Sequence, residues 1–142
     1  MSAIVGIGVD VVDVKRMKVV LDARGASLIK KLFTESEIAY CTSKKNSHEH
    51  YAARFAAKEA VSKAMQTGWS GKFRWRDVEV INNPSGAPKV VLHDYVAEQL
   101  MKCRVHISLS HTENTVVAFA IIERNEQRIR ASGAAGRPIA TL

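Results

Sequence analysis

The chain has 142 residues, a length that fits one domain with a core large enough to fold without disulfides or a structural metal. Its hydrophobic fraction of 46% and charged fraction of 25% are those of an ordinary globular protein, and no apolar run approaches the roughly 20 residues of a membrane span. The first residues lack the basic segment and long apolar core of a signal peptide, so we expect a cytoplasmic protein. The formal net charge of +7 predicts an anionic partner, which could be a nucleic acid, a phosphorylated small molecule or an acidic protein.

The first predicted elements are a strand and a helix. Residues 3–14, AIVGIGVDVVDV, form an apolar and β-branched run that predicts a buried strand. Residues 15–24 follow with the apolar periodicity of a helix, which Gly25 interrupts. Residues 28–33 then form a short segment that is both apolar and basic.

Two further helices are predicted in the first half. Thr34 and Glu37 have the three-residue spacing of a capping box, which predicts a helix that starts at this point. Residues 43–50, SKKNSHEH, are polar and predict a turn. An alanine-rich helix then begins at Tyr51 and extends to Gly68, where the glycine is a suitable C-terminal stop.

Strands dominate the second half. Residues 69–76 form a loop that carries both tryptophans. Residues 77–81 and 89–92 are predicted strands, and the turn formers between them predict a reversal of the chain. Residues 93–102 predict a short amphipathic helix, and an antiparallel hairpin is expected from the strands at 104–110 and 116–123.

The order of elements, helices first and mostly strands later, predicts the α+β class rather than alternating βαβ units. We assign residues 1–123 to one domain. Residues 124–142 are basic, then rich in alanine and glycine, and have no sustained periodicity. This composition predicts a poorly ordered C-terminal tail.

The stretch RFAAKEAVSKAM, residues 54–65, contains the first candidate site. At about 100° per residue, small apolar side chains line one side of the helix and Glu59 lies roughly opposite them. Glu59 and Lys63 have the i,i+4 spacing of a surface ion pair, and the local pattern favours this interpretation. The small side chains also predict close backbone packing, which could place the helix beside the active groups of another segment.

Asp10 is the second candidate, because a carboxylate within an apolar strand is costly to bury unless it is paired or binds a metal. A functional role and a structural role at the strand end are equally open. Gly6 and Gly8 invite comparison with a dinucleotide-binding fingerprint, but Val11 occupies the position of the third glycine, so the fingerprint is absent. Asp10 and Glu59 together would suit Mg²⁺, which takes one or two protein carboxylates and completes its shell with water and phosphate oxygens.

The stretch SLSHT, residues 108–112, puts two hydroxyls and an imidazole at the end of a strand. These groups are either polar residues of an outer face with a loop histidine, or hydrogen-bond donors for an anion. A Ser-His nucleophilic pair is not supported, because nothing resembles a nucleophile elbow and adjacent strand residues point to opposite faces.

The loop with the two tryptophans suggests an alternative function. Trp69 and Trp75 are interleaved with Lys72, Arg74 and Arg76. This arrangement would suit single-stranded nucleic acid, because aromatic rings stack on bases and cations follow the phosphates. A basic single-stranded nucleic-acid-binding module is therefore the alternative to a magnesium-dependent, phosphate-transferring enzyme.

Three motifs in order resemble those of a known family. GIGVDVVDVKRM at residues 6–17, RFAAKEAVSKA at 54–64 and SLSHT at 108–112 are similar to the holo-acyl-carrier-protein synthases, the AcpS-type 4'-phosphopantetheinyl transferases. The resemblance spans about Ile4 to Ile122. It implies the fold of that family, in which helices pack on a small, mostly antiparallel sheet. It also implies transfer of 4'-phosphopantetheine from coenzyme A to a serine of an acyl carrier protein in fatty acid biosynthesis.

The resemblance also implies roles for individual residues. Asp10 and Glu59 would be the Mg²⁺ ligands, and Lys63 would meet the phosphates of coenzyme A. Together these three form the predicted catalytic group. The other residues implied for coenzyme A binding are Arg54, Phe55, Gly86, Pro88 and His111.

Carrier-protein docking is the last function that the resemblance implies. Arg16 matches the basic position of the family's first helix, which docks the acidic carrier protein. Arg24, Lys30 and Lys31 extend this predicted docking surface. The family's proteins are compact trimers with sites between subunits, so the resemblance also implies a homotrimer.

Overall fold

Helices and two small antiparallel sheets make up residues 3–66 and 71–126, the part of the chain that this computed structural model describes. The elements in chain order are β1 (Ile4–Asp13), α1 (Val14–Leu32), α2 (Glu35–Thr42), α3 (Ser47–Met65), β2 (Val78–Asn82), β3 (Pro88–Leu92), α4 (Asp94–Gln99), β4 (Cys103–His111) and β5 (Thr115–Arg124). The first sheet has the strand order β1-β5-β4, and β2 and β3 form the second. The predicted α+β class is confirmed.

Local sequence signals predicted several elements correctly. Thr34 and Glu37 form the expected capping box at the start of α2, and β4 pairs with β5 as predicted. Gly25 has a left-handed backbone (φ 65°) and kinks α1, but the helix continues to Leu32 and so includes residues 28–32 of the predicted apolar and basic segment. The turn predicted at residues 43–50 is too long, because α3 begins at Ser47.

Some predictions fall outside the described residues. Gly68, the expected helix stop, and Trp69 belong to the range 67–70, which the structure does not describe. The predicted tail lies outside it from residue 127 onward, so the domain boundary at residue 123 stays a prediction. None of the described helices is long and apolar enough to cross a membrane.

The prediction that β1 is buried is wrong for one of its faces. Alternate side chains point away from α3, and Ile7, Val9 and Val11 are 57%, 51% and 63% exposed. On the neighbouring strand β5, Phe119 pairs with Val9 and is 39% exposed. These residues form an apolar outer face of the first sheet. The continuous apolar run in the sequence could not show that only one side faces this chain's own core.

The other face of β1 packs directly on α3 through two glycines. A Cβ atom at Gly6 would lie 1.8 Å from the carbonyl oxygen of Ala64, and one at Gly8 would lie 1.9 Å from that of Ala60. Real atoms cannot approach so closely, so no side chain fits at either position. The glycine pair that resembled a nucleotide-binding motif therefore serves close packing of the strand and the helix.

A buried ion pair joins the helices to the second sheet. The side chains of Lys58 on α3 and Glu37 on α2 are both 0% exposed, and Lys58 Nζ lies 2.7 Å from Glu37 Oε1. Nζ also donates to the carbonyls of Trp75 and Val78, at 3.1 and 2.5 Å. Glu37 Oε2 accepts from the backbone N–H of Val80 at 3.1 Å. Burial lowers the pKa of Lys58, and the attraction of the Glu37 carboxylate opposes this shift.

We expect Lys58→Met to lower the free energy of unfolding by about 3–5 kcal/mol, because it leaves Glu37 as a buried charge without its partner. Urea unfolding followed by circular dichroism measures the change. The control is Lys18→Met, at an exposed position of α1, which should stay within about 0.5 kcal/mol of the wild type. A loss below about 1 kcal/mol for Lys58→Met would show that the pair does not hold these elements together.

Candidate active site

Asp10 and Lys63 meet where β1 crosses the C-terminal half of α3. Asp10 lies two residues after Gly8 and shares the strand face that packs on the helix. Lys63 Nζ donates to Asp10 Oδ1 at 2.9 Å and to the carbonyl of Val9 at 3.1 Å. The side chain of Asp10 is 15% exposed and that of Lys63 is 53% exposed. The close approach of strand and helix thus places the half-exposed ammonium of Lys63 against the mostly buried carboxylate of Asp10.

Glu59 lies beside this pair without joining it. Among the described residues, its carboxylate makes no hydrogen bond and no ion pair. Burial raises the pKa of Glu59, the nearby Asp10 carboxylate raises it further, and Lys63 partly offsets both effects. The surface pair between Glu59 and Lys63 that the local spacing favoured is absent, because Lys63 binds Asp10 instead. Of the two neighbouring carboxylates, Lys63 therefore pairs with Asp10 only.

A cleft of about 720 Å³ opens beside the carboxylates, between β1, α1 and α3. Asp10, Asp13 and Glu59 supply its acidic groups, and Arg16 and Arg24 supply its basic groups. Its remaining lining is mainly apolar and includes Met17, Val20, Leu28, Leu32, Phe55 and Trp75. The arrangement offers carboxylates, cations and an apolar wall within one cleft.

The two aromatic residues of this cleft belong to a cluster of three aromatic rings. The Trp75 ring centroid lies 5.4 Å from that of Phe55 and 5.2 Å from that of Phe73. Trp75 is only 7% exposed. It therefore anchors its segment to the body of the protein and does not offer an open ring for stacking on bases.

A second group of predicted residues lies toward the N-terminal half of α3. Arg54 is 4% exposed, and its guanidinium lies 4.0 Å from the ring centroid of Tyr40. Its Nη2 donates to Asn82 Oδ1 at 3.0 Å, and Asn82 Nδ2 donates to the carbonyl of Gly86 at 3.0 Å. Gly86 has a φ of 88°, which suits glycine in this turn. At the start of α3, Glu49 Oε1 lies 3.1 Å from His111 Nδ1.

Three predicted residues lie away from the carboxylate cleft. Pro88 lines a separate cavity of about 360 Å³ together with Lys89 and Arg104. Lys30 and Lys31 are exposed in the last turn of α1, beyond the kink at Gly25. Within this chain, the structure therefore gathers Asp10, Glu59, Phe55, Arg16 and Arg24 around one cleft. Lys63 is bound to Asp10 at its edge, and the other predicted residues lie outside it.

The carboxylates can hold a divalent cation only with help from other ligands. The described residues contain no group of three or more histidine, cysteine or acidic side chains arranged to bind a metal ion. Asp10 and Glu59 would supply two oxygen donors, which is the number that Mg²⁺ commonly takes from a protein. The raised pKa of Glu59 fits such a site, because a cation between the two carboxylates would remove their repulsion.

Comparison with known proteins identifies the family. Residues 6–120 match the family model described as the 4'-phosphopantetheinyl transferase superfamily. The chain belongs to this superfamily. A holo-acyl-carrier-protein synthase of Koribacter versatilis is 44% identical over 123 residues, which are 84% of this chain and 98% of the relative.

Solved structures of phosphopantetheinyl transferases have the same fold. The holo-acyl-carrier-protein synthase of Neisseria meningitidis superposes with a TM-score of 0.78 and 31% identity over 85% of this chain and 99% of that chain. That of Bacillus anthracis, in complex with CoA (3',5'-ADP), gives a TM-score of 0.74 and 33% identity over 87% of this chain and 99% of that chain. The family and the fold that the motifs implied are thereby confirmed.

Sequence reasoning missed Asn82, which connects two residues of the second group. In the sequence it belongs to NNPSGAP, where it is one of several turn formers. Its hydrogen-bond partner Arg54 lies 28 positions earlier. A contact of this range has no local signal, so only the folded chain shows it.

We expect Glu59→Gln to raise the free energy of unfolding at neutral pH in metal-free buffer. The folded-state pKa of Glu59 lies above its ordinary value of 4.5, so its ionised carboxylate disfavours the folded state. This destabilisation of the folded state disappears as the pH falls through the raised pKa toward the ordinary value. The increase in the free energy of unfolding caused by Glu59→Gln should therefore be largest at neutral pH and become smaller in acid.

Urea unfolding at several pH values measures this difference. Glu98→Gln is the control, because Glu98 is exposed on α4 and outside the cleft. If the free energy of unfolding had the same pH dependence in the two variants, Glu59 would not be a partly buried carboxylate repelled by Asp10.

Proposed function

We propose that this chain transfers the 4'-phosphopantetheine group of coenzyme A to a serine hydroxyl of an acyl carrier protein. The products are holo-acyl carrier protein and adenosine 3',5'-bisphosphate, and the reaction serves fatty acid biosynthesis in the cytoplasm. The observation that carries the proposal is the juxtaposition of Asp10, Glu59 and Lys63 beside the cleft. The names of the relatives, and the coenzyme A complex of the Bacillus anthracis protein, support the choice of substrates.

We propose that the reaction depends on Mg²⁺, and the available carboxylate donors support this proposal. Asp10 and Glu59 are the proposed ligands, and the carboxylate of Glu59 has no competing partner among the described residues. When bound, Mg²⁺ would neutralise negative charge on the pyrophosphate oxygens and so make the bisphosphate a better leaving group.

Lys63 is the proposed phosphate-binding cation of the site. Its ammonium is half exposed, so it can leave Asp10 for a phosphate oxygen once Asp10 has another cation beside it. The serine oxygen of the carrier protein attacks the phosphorus that bears the pantetheine arm, the bond to the bisphosphate breaks, and the proton of the serine hydroxyl is released. The nucleophile thus comes from the partner, which explains why the motifs held no nucleophile elbow.

The remaining predicted residues are proposed to hold the rest of coenzyme A. Phe55 forms part of the apolar wall of the cleft. Arg54 and Gly86 are joined through Asn82, and we assign them with His111 and Pro88 to the nucleotide end. These groups supply positive potential and turn geometry, which suit a phosphorylated nucleotide.

The carrier protein is proposed to dock along α1. Arg16 and Arg24 stand among apolar residues of the cleft wall, and Lys30 and Lys31 extend the basic surface beyond the kink. A basic helix beside an apolar wall is complementary to an acidic partner that also presents apolar side chains.

A homotrimer is the proposed assembly. The apolar outer face of the first sheet, with Ile7, Val9, Val11 and Phe119, is exposed in the single chain. Contiguous exposed apolar surface of this kind is typical of contacts between protein chains. Assembly through this face would also bring groups of one subunit close to the cleft of another, so that separated site residues could act on one ligand.

Nucleic-acid binding, the alternative from the sequence, has no specific support in the described residues. Trp75 is packed against Phe55 and Phe73, so its ring is not available to stack on a base. Trp69 lies outside the described residues.

We expect the protein to increase the mass of apo-acyl carrier protein by one phosphopantetheine group in the presence of coenzyme A and Mg²⁺. Glu59→Gln should reduce the rate by at least about a hundredfold, because it removes a charged ligand of the proposed metal. Mass spectrometry of the carrier protein follows the reaction, and Glu98→Gln should retain the wild-type rate.

Thermal unfolding gives an independent reading of the metal site. With coenzyme A present, Mg²⁺ should raise the Tm of the wild type but not that of Glu59→Gln. Transfer that is independent of Mg²⁺, or a normal rate for Glu59→Gln, would contradict the ligand assignment. The absence of any mass increase with several carrier proteins would contradict the proposed reaction.

We expect Val9→Glu to dissociate the trimer, because it places a charge at the centre of the apolar outer face. Size-exclusion chromatography with light scattering should give the mass of three chains for the wild type and of one chain for the variant. Val19→Glu is the control, since Val19 is 66% exposed but lies on α1. A wild-type mass of one chain would contradict the proposed assembly.

A further inference from the structure

Arg54 is a buried cation without an anion. It is 4% exposed, and among the described residues it makes no ion pair. Nη2 donates one hydrogen bond to Asn82, whereas the buried Nε has no acceptor in the part of the chain that the structure describes. A buried charge is costly unless it is paired. The fold therefore keeps the charge of Arg54 unpaired among the described residues at a cost in stability, and a functional role would explain this cost.

The positive field of Arg54 is not cancelled by its surroundings. Its guanidinium stacks on Tyr40 at 4.0 Å, a contact that stabilises the cation without neutralising it. Burial and the Arg54 charge both lower the pKa of His50, although Glu49 opposes them. A charge inside a protein acts over longer distances than one in water, so Arg54 can influence a ligand that it does not touch.

Asn82 stands between this charge and the turn of the hairpin. It is the last residue of β2 and is exposed, and its amide bonds both the guanidinium of Arg54 and the carbonyl of Gly86 at 3.0 Å. A side-chain amide carries an acceptor and a donor on the same carbon, so it can make both bonds at once. The turn is thereby held in a fixed position over the cation.

An aspartate at position 82 would act differently, although it has the same shape. It would accept from Arg54 as a charged partner and so neutralise the guanidinium. It would also lose the bond to Gly86, because an ionised carboxylate has no hydrogen to donate. The amide therefore orients Arg54 and leaves its charge available.

We propose that Asn82 is a positioning residue that keeps Arg54 an unpaired cation and fixes it under the Gly86 turn, so that the surface of the turn attracts a phosphate group of coenzyme A. This inference rests on the proposed function and adds to it a residue that acts through Arg54 and the turn.

The decisive comparison is Asn82→Asp against Asn83→Asp. Both variants place one negative charge in the same turn, but the Asn83 side chain acts only as an acceptor, from the Ala87 N–H and the Ser85 hydroxyl. An aspartate at position 83 keeps both bonds. We expect Asn82→Asp to raise the KM for coenzyme A about ten- to a hundredfold with kcat changed less than about threefold. Asn83→Asp should change the KM less than about threefold.

Calorimetric titration with coenzyme A distinguishes a failure of the proposed reaction from a failure of the proposed role of Asn82. A wild type that binds coenzyme A without transferring it contradicts the proposed reaction. Equal affinities of Asn82→Asp and Asn83→Asp contradict the role of Asn82. In an Arg54→Gln background, Asn82→Asp should have less than about a threefold further effect, and a full effect there would show that Asn82 does not act through Arg54.

Asn82→Ala is the second variant, for the case in which the aspartate variant does not fold. It removes both hydrogen bonds without adding a charge, and circular dichroism shows whether the fold is kept. We expect its affinity for coenzyme A to fall about three- to tenfold. An unchanged affinity would overturn the proposal.

Discussion

The buried ion pair between Lys58 and Glu37 is the interaction on which the arrangement of the helices and the second sheet depends. One ammonium bonds a carboxylate of α2 and two backbone carbonyls near the start of β2. The same carboxylate accepts from the backbone of β2. Two elements from different parts of the chain, α2 and β2, are thus tied to a single point on α3. Because Lys58 is locked into the interior, the next residue, Glu59, is directed elsewhere around the helix, toward the cleft. Lys58 of the structural pair and the proposed metal ligand Glu59 are adjacent in the sequence, and their side chains point about 100° apart around one helix.

Two charged groups on α3 make no ion pair with any of the described residues. Glu59 is a carboxylate without a hydrogen-bond partner, and Arg54 is a cation without an anion, among the described residues. Their positions on α3 place them about 7 Å apart along the helix axis. Each unsatisfied group alone lowers stability, yet together they form a pattern complementary to a ligand that carries both a metal ion and phosphates. The substrate, rather than the protein, is expected to complete these interactions.

The sequence predicted those features whose causes are local. The capping box at Thr34, the hairpin of β4 and β5, and the alanine stripe of α3 each depend on residues within one element or on neighbouring ones. The Lys58–Glu37 pair spans 21 positions and the Asn82–Arg54 bond spans 28, and neither has a local pattern. The family resemblance assigned Asp10 and Glu59 as metal ligands, whereas the helical pattern alone favoured an ordinary surface pair of Glu59 with Lys63. The exposed face of β1 could not be predicted either, because an apolar run does not show which chain will cover it.

The contact of Gly6 and Gly8 with Ala60 and Ala64 has a consequence for the precision of the site. Backbone atoms of β1 meet backbone atoms of α3 with no side chain between them. Side chains at an interface can change rotamer and let two elements slide, whereas peptide groups in direct contact have no such freedom. The separation of the strand that bears Asp10 from the helix that bears Glu59 is therefore insensitive to rotamer changes in the core. The two glycines thus fix the distance between β1 and α3.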